Sequence, residues 1–173
     1  MVSNASDEFQ TLHEIVKRAR IRLPQDRWDY LTGGTETETT LRRNRHALDT
    51  WGFKPRVCRD VNEIDTTSSL FGQKLNLPLL LAPIGSLESF DPGGGATSAK
   101  ASEEFGVAHM LSSRCNPGLE DVAAAADNAR IFQLYVRGDA KFEDDFVKRA
   151  VDNGYFAFAI TIDTAVYSRR EHD

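Results

Sequence analysis

The chain has 173 residues, 40% hydrophobic and 27% charged, with 21 Lys and Arg against 26 Asp and Glu and a net charge of -5. That suffices for one domain with a core, is too apolar for general disorder, and leaves no basic footprint for nucleic acid. No apolar run approaches the roughly 20 residues of a membrane helix, so membrane contact is not indicated.

The N-terminus "MVSNASDEF" lacks the basic and apolar regions of a secretory signal, which makes the cytoplasm the expected setting. "DEFQTLHEIVKRA" reads as a helix with Phe9, Leu12, Val16 and Ala19 on one stripe. "LPQDRWDYL" opens a short second helix, expected to stop at Gly33-Gly34 with a left-handed glycine. In "TETETTLRRNRHALDTW", Thr35 and Glu38 have capping-box spacing, and Leu41, Ala47 and Leu48 are expected to face inward. "GFKPRVCRDVNEIDTTSSLFGQKLNL" mixes β-branched residues with turn formers and predicts short antiparallel strands. Cys58 and Cys115 are distant in sequence and are expected as reduced thiols, and no metal site is expected, since the histidines show no ligand spacing with them.

From Pro78 the rhythm changes. "LPLLLAP" is a continuous apolar run, expected of a strand buried on both faces. "GGATSAKASEEFG" is a helix stopped by Gly106, and "VAHMLSS" is a second strand. "NPGLEDVAAAADN" follows, with Asn116 expected as N-cap and Pro117 as first helical residue. "ARIFQLYV" is a third strand. "KFEDDFVKRAVDNG" places Phe142, Phe146, Val147 and Ala150 on one helical face, and "YFAFAITID" is a fourth strand. Strand and helix alternate about every 25 residues, the pattern of a parallel sheet with crossover helices. The domain boundaries expected are 1–76, helices and short strands, and 77–173, the βα units.

An open dinucleotide-binding sheet calls for G-x-G-x-x-G after its first strand, and the glycines Gly93 to Gly95 lack that spacing. A barrel instead predicts polar residues at each strand's C-terminal end. Here the ends read "APIGS", "LSS", "FQLY" and "TID". Ser112 and Thr161 supply hydroxyls and Gln133 an amide, a set suited to the alternating N–H and C=O edge of a flat heterocycle. Tyr135 shares the face of Gln133, and Arg170 offers a fork for a carboxylate.

"FQLYV", "TIDT", "RRE", "LPLLLAP", "LSS" and "DYLTGGTETETTLRRNRHAL" together resemble the FMN-dependent α-hydroxy acid oxidoreductases, the family of glycolate oxidase, lactate oxidase and dehydrogenase, mandelate dehydrogenase and flavocytochrome b2. The resemblance runs in order from about Phe9 to Asp173. It implies the N-terminal half of a (β/α)8 TIM barrel, about four βα units, behind a helical segment and short strands. It also implies oxidation of a small (S)-2-hydroxy acid to a 2-oxo acid, with FMN as cofactor. By that resemblance Pro83, Ile84 and Gly85 lie against the flavin, and Ser112, Gln133 and Thr161 bond its polar edge. Tyr30 and Arg170 hold the substrate carboxylate, Tyr135 lies near the substrate hydroxyl, and Asp163 is a buried strand-end carboxylate that orients the catalytic histidine.

Four features depart from the family pattern: Arg114 after "LSS", Arg137 after "QLYV", Ile84 after "AP", and "ESFDPGGG", which stands where a histidine commonly precedes the proline; they bear on the substrate side-chain pocket. Family members run to about twice this length, as an eight-stranded barrel requires. The flavin-N1 lysine, the catalytic histidine and the phosphate loops are expected in a C-terminal half, as a separate chain or a missing segment, and a homo-oligomer is expected. The competing readings are an inactive half-barrel serving as a subunit or interaction module, and another FMN barrel such as an isopentenyl diphosphate isomerase.

Overall fold

A computed structural model describes residues 9–163 and 168–171. The readings that involve Asp7, Glu8, Thr164 and His172 lie outside the described residues. Contacts divide the chain into two compact units, one reaching to Pro55 and including residues 168–171, the other beginning at Arg56.

The first unit holds α1 (Leu12–Arg22), α2 (Gln25–Thr32) and α3 (Thr39–Asp49). α1 starts where the Glu14 carboxylate turns back to accept from the backbone N–H groups of Gln10 (2.7 Å) and Thr11 (3.3 Å). Its apolar stripe exists, yet Leu12 and Val16 are exposed. α2 ends at Gly33 with φ -75 and ψ 156, so this glycine is extended rather than left-handed. α3 begins at Thr39, four residues after the Thr35 signal. Glu38 occupies its N-cap at φ 58 and accepts from Gly34 N–H (2.9 Å), closing a turn instead of boxing with Thr35. Leu41 and Leu48 are exposed, contrary to the inward expectation.

The second unit opens with one antiparallel hairpin, β1 (Ser68–Leu70) and β2 (Gln73–Leu75), which is what remains of the short strands expected there. Next come β3 (Leu80–Leu81), α4 (Gly94–Phe105), β4 (Ala108–Ser112), α5 (Leu119–Ala125), β5 (Ala129–Leu134), α6 (Ala140–Asp152) and β6 (Ala157–Ile160). The sheet order is β3-β4-β5-β6 and every pairing is parallel, as the strand–helix rhythm predicts. β3 is shorter than its apolar run suggests. It lies at the sheet edge, and Leu79 and Leu80 are exposed rather than buried on both faces. α5 begins after Gly118, not at Pro117, and Asn116, expected as its N-cap, is bonded to Glu88 instead.

The core lies between sheet and helices, around Phe132. Phe146 stacks on it at 5.8 Å between centroids, and Tyr155 and Phe158 meet it edge-on at 5.7 and 5.8 Å. Ala99, Leu111, Cys115, Leu119, Val122, Ala126, Leu134 and Ala150 belong to the same cluster. Polar ties seal its rim. The Tyr155 hydroxyl donates to Leu119 O (2.9 Å), and burial pushes its pKa upward. Arg130 donates to the carbonyls of Ala123, Ala126, Asn128 and Asn153, at 3.0 to 3.4 Å, which satisfies acceptors left open at and just beyond the end of α5 and at the end of α6. Arg149 grips Glu120 through two bonds of 2.6 and 3.0 Å, tying α6 to α5.

Gly94 sits at φ +49, and a Cβ there would lie 2.0 Å from Asn116 O. Gly94→Ala is expected to destabilise by about 3 kcal/mol or more, from backbone strain plus a clash with main chain. Gly72, at φ +83 with open space around it, is the control, and Gly72→Ala is expected to lose only about 1 kcal/mol. Urea midpoints of the two variants test the contrast.

His109, 1% exposed, sits on β4 and shares a 2.9 Å bond between Nε2 and Ser98 Oγ of α4. Ser98 donates to Gly95 O (3.0 Å), so Nε2–H is the donor of the shared bond, and Nδ1 is a buried acceptor with no partner among the described residues. A second proton would be buried unpaired, and burial lowers the pKa from 6.5 to about 4. The folded state therefore binds this proton less readily than the unfolded chain. The stability it contributes is fully present above about pH 6.5 and is lost as pH falls toward about 4, by roughly 3 kcal/mol. Urea unfolding across this window is expected to show the loss, and His109→Leu is expected to flatten it.

Candidate functional site

The parallel ladder of the second unit sets a polar row. Ser112 of β4 stands opposite Gln133 of β5, and Gln133 stands opposite Ala159 of β6. The ladder continues past the strands: Ser113 N–H donates to Gln133 O (2.8 Å) and Thr161 N–H to Leu134 O (3.0 Å). Alternation then sends Phe132 and Leu134 to the helices and Gln133 to the opposite face, with Thr161 two residues beyond Ala159. The Gln133 Nε2 donates to Thr161 Oγ1, which confirms the shared face. Ser112 is 2% exposed and Gln133 6%, so their polar groups sit in a dry setting.

The loops after β3, β4 and β5 close on this row. Pro83, Ile84 and Gly85 follow β3, and Ser86 N–H donates to Arg114 O (2.9 Å). A Cβ on Gly85 would come 3.3 Å from Arg114 Cβ, so the two loops touch there. Ser112 Oγ accepts from Arg114 N–H (3.2 Å). Tyr135, half-buried, follows β5, and its N–H donates to Ser113 Oγ (3.1 Å). The sequence reading passed over Ser113; the doubled serine of "LSS" was its available signal. It also passed over Glu88, whose carboxylate takes the N–H (3.0 Å) and Nδ2 (3.1 Å) of Asn116 and anchors the loop after β4. Those bonds hold the Glu88 pKa low. Asp163, two residues past Thr161, is exposed, which differs from the buried strand-end carboxylate expected.

Tyr30 and Arg170 come together in the first unit. Arg170 Nη2 donates to Tyr30 O (2.6 Å) and Gly33 O (3.1 Å) at the end of α2, and the guanidinium lies 5.0 Å from the Tyr30 ring centroid. The 168–170 segment is clipped further by Glu36 N–H to Arg169 O (2.9 Å) and Thr35 Oγ1 to Ser168 Oγ (3.0 Å).

The donor set decides what the polar row can hold. With one N–H of Gln133 on Thr161, its Oε1 and second N–H remain, beside the Ser112 hydroxyl. Three strand-end groups offering both donors and acceptors fit the edge of a flavin ring better than a metal, and no metal-binding cluster of His, Cys, Asp or Glu occurs among the described residues.

The sequence profile of the FMN-dependent dehydrogenase family matches residues 19–173. Glycolate oxidase 1 of Zea mays is 36% identical over 166 residues, covering 96% of this chain and 45% of its own. A 2-hydroxyacid oxidase of Dictyostelium discoideum is 33% identical over 172 residues, with 99% and 44% covered. Among solved structures, a mandelate oxidase variant with (S)-mandelic acid superposes with a TM-score of 0.89 at 33% identity, covering 95% of this chain and 49% of that one. The chain thus spans about half the length of the relatives it matches. Its four parallel strands, joined by three crossover helices, correspond to about half of a (β/α)8 barrel. From the parallel ladder with its polar row to the profile that spans most of the sequence, these findings place the chain in the FMN-dependent dehydrogenase family.

Proposed function

We propose that this chain carries the flavin-edge and carboxylate-binding part of an enzyme that oxidises a small (S)-2-hydroxy acid, of the lactate, glycolate or mandelate type, to the 2-oxo acid. When bound, FMN supplies a two-electron acceptor: the substrate CH–OH becomes C=O with loss of two electrons and two protons. The observation that carries this reading is the row of Ser112, Gln133 and Thr161 at adjacent strand ends. These three would bond the polar edge of the ring, and the backbone of Pro83, Ile84 and Gly85 would lie against it. Tyr135 would face the substrate hydroxyl. For the substrate carboxylate we propose Tyr30 and Arg170. Asp163 would orient the general base, and among the described residues no histidine ends a strand of this sheet: His109 is bonded to Ser98 inside it.

The sheet itself supports further units. β3 and β6 are its edges, and Ile160 and Ile162 beside the β6 edge are exposed. Four more βα units, on a separate chain or segment, would cover those edges and bring the base and the phosphate loops, in a homo-oligomer. The free thiols of Cys58 and Cys115 support a reducing, cytoplasmic setting.

Anaerobic bleaching of FMN by (S)-lactate, glycolate or (S)-mandelate in the completed barrel tests the reaction. A polypeptide of residues 1–173 alone is expected to leave the flavin oxidised, because general-base catalysis needs a group within reach of the proton. Gln133→Leu is expected to weaken FMN binding about 10- to 100-fold, since a ring-edge group would lose its partner in a dry site. Unchanged affinity in a flavin fluorescence titration would reduce Gln133 to a packing residue. Arg170→Lys is expected to lower kcat/KM about 10- to 100-fold, because lysine keeps the charge without the fork. A fall in Tm with kcat/KM unmoved would mean that the guanidinium serves only the carbonyls of Tyr30 and Gly33.

A further inference from the structure

Two cations stand beside the polar row with no role in holding the fold. Arg114 is the second residue beyond Ser112, and Arg137 the second beyond Tyr135, so both follow the C-terminal ends of neighbouring strands. Both are exposed, and among the described residues neither guanidinium makes a hydrogen bond or ion pair. Their backbones, in contrast, are fixed. Arg114 donates its N–H to Ser112 Oγ (3.2 Å), accepts from Ser86 N–H (2.9 Å), and has its Cβ pressed toward Gly85. Arg137 N–H donates to Glu143 Oε1 (2.6 Å) at the start of α6. Each is a held stem with an open head.

This pattern differs from the other arginines of the sheet and its helices. Arg130 is saturated by four carbonyls, and Arg149 by Glu120 and Asp145. Those side chains support the structure; Arg114 leaves its donors open where the loops after β3 and β4 meet, and Arg137 leaves its donors open in the loop after β5. A substrate with an alkyl side chain gives two guanidiniums nothing to bond, and a phenyl ring offers a cation–π face but no hydrogen-bond acceptor. A substrate with a second carboxylate offers each a charge-assisted, bidentate partner.

We propose that Arg114 and Arg137 are specificity-determining residues that select 2-hydroxy acids bearing a second carboxylate at the far end of the side chain. This rests on the 2-hydroxy acid reading above and narrows its substrate class to 2-hydroxy diacids. The second carboxylate takes no part in the chemistry, so its contacts act on binding and on the choice between substrates.

The test uses the FMN-loaded holoenzyme and chain-matched pairs: (S)-malate against (S)-2-hydroxybutyrate, and (S)-2-hydroxyglutarate against (S)-2-hydroxyvalerate. The wild type is expected to favour the diacid of each pair in kcat/KM. Arg114→Ala and Arg137→Ala are each expected to lower the diacid-to-monoacid ratio about 10-fold, and added salt is expected to lower it in the wild type. A wild-type preference for the monoacids, or a ratio unmoved by both substitutions, overturns the proposal. A second measurement separates this from failure of the parent reading. Binding of unreactive succinate and butyrate is followed by perturbation of the flavin spectrum. If no hydroxy acid reduces the flavin, yet succinate binds tighter than butyrate and loses that advantage in Arg114→Ala, the reaction is wrong and the dianion site stands. Equal binding of succinate and butyrate to the wild type overturns the site itself.

Discussion

Met110 stands opposite Ile131, Leu111 opposite Phe132 and Ser112 opposite Gln133, and a slip of one residue would turn each of these side chains to the wrong face. That register is the constraint on which the site depends. Phe132 faces the helices and is packed by three aromatic rings, so it cannot exchange places with its polar neighbour. Burying a phenylalanine contributes about 1.5–3 kcal/mol, while burying an unbonded amide costs a comparable amount or more. The same packing that stabilises the sheet therefore forces Gln133 to the other side, where Thr161 meets it. Core and site are two consequences of one alternation.

The loop after β4 extends this precision outward. Gly95 N–H donates to Asn116 O (3.0 Å), and Glu88 holds Asn116 from the other side, so the start of α4 and the loop after β4 are one assembly. A side chain at Gly94 would break it. Cys115 lies inside this assembly. Burial is the main cause that pushes its thiol pKa up, and the charge of Glu88 adds to it; the side chain packs in the core cluster. Its role is to support the loop from which Arg114 projects.

The strand rhythm was legible in the sequence because buried strands need apolar runs and crossover helices need amphipathic faces. "VAHMLSS" and "ARIFQLYV" became β4 and β5 with the polar ends where they were read. Capping signals misled where a side chain had a distant partner. Asn116 looks like an N-cap locally, yet its partner is Glu88, 28 residues away. Glu38 suits a box with Thr35, yet its own left-handed backbone starts the helix after it. The pairing of Arg170 with Tyr30 spans 140 residues, a separation no local pattern encodes. The open edge at β3 was equally hidden, because a run such as "LPLLLAP" reads the same at the edge of a sheet and at its centre.

Charge separates the arginines by function more sharply than sequence does. The chain carries a net charge of -5, so its surface as a whole would not attract the anionic substrate proposed above. Attraction must come from local cations whose donors are not already satisfied. Arg130, with its side chain 13% exposed and four carbonyl partners, projects little field into solvent. Arg149 is neutralised by Glu120 and Asp145. Among the described residues no carboxylate bonds the guanidinium of Arg114 or Arg137, although the Glu143 carboxylate takes the backbone N–H of Arg137. Beyond about 10 Å salt screens such charges, so their influence is confined to an anion already at the mouth of the site. On the reading proposed above, they would sort 2-hydroxy acids from one another far better than they would recruit them from a distance.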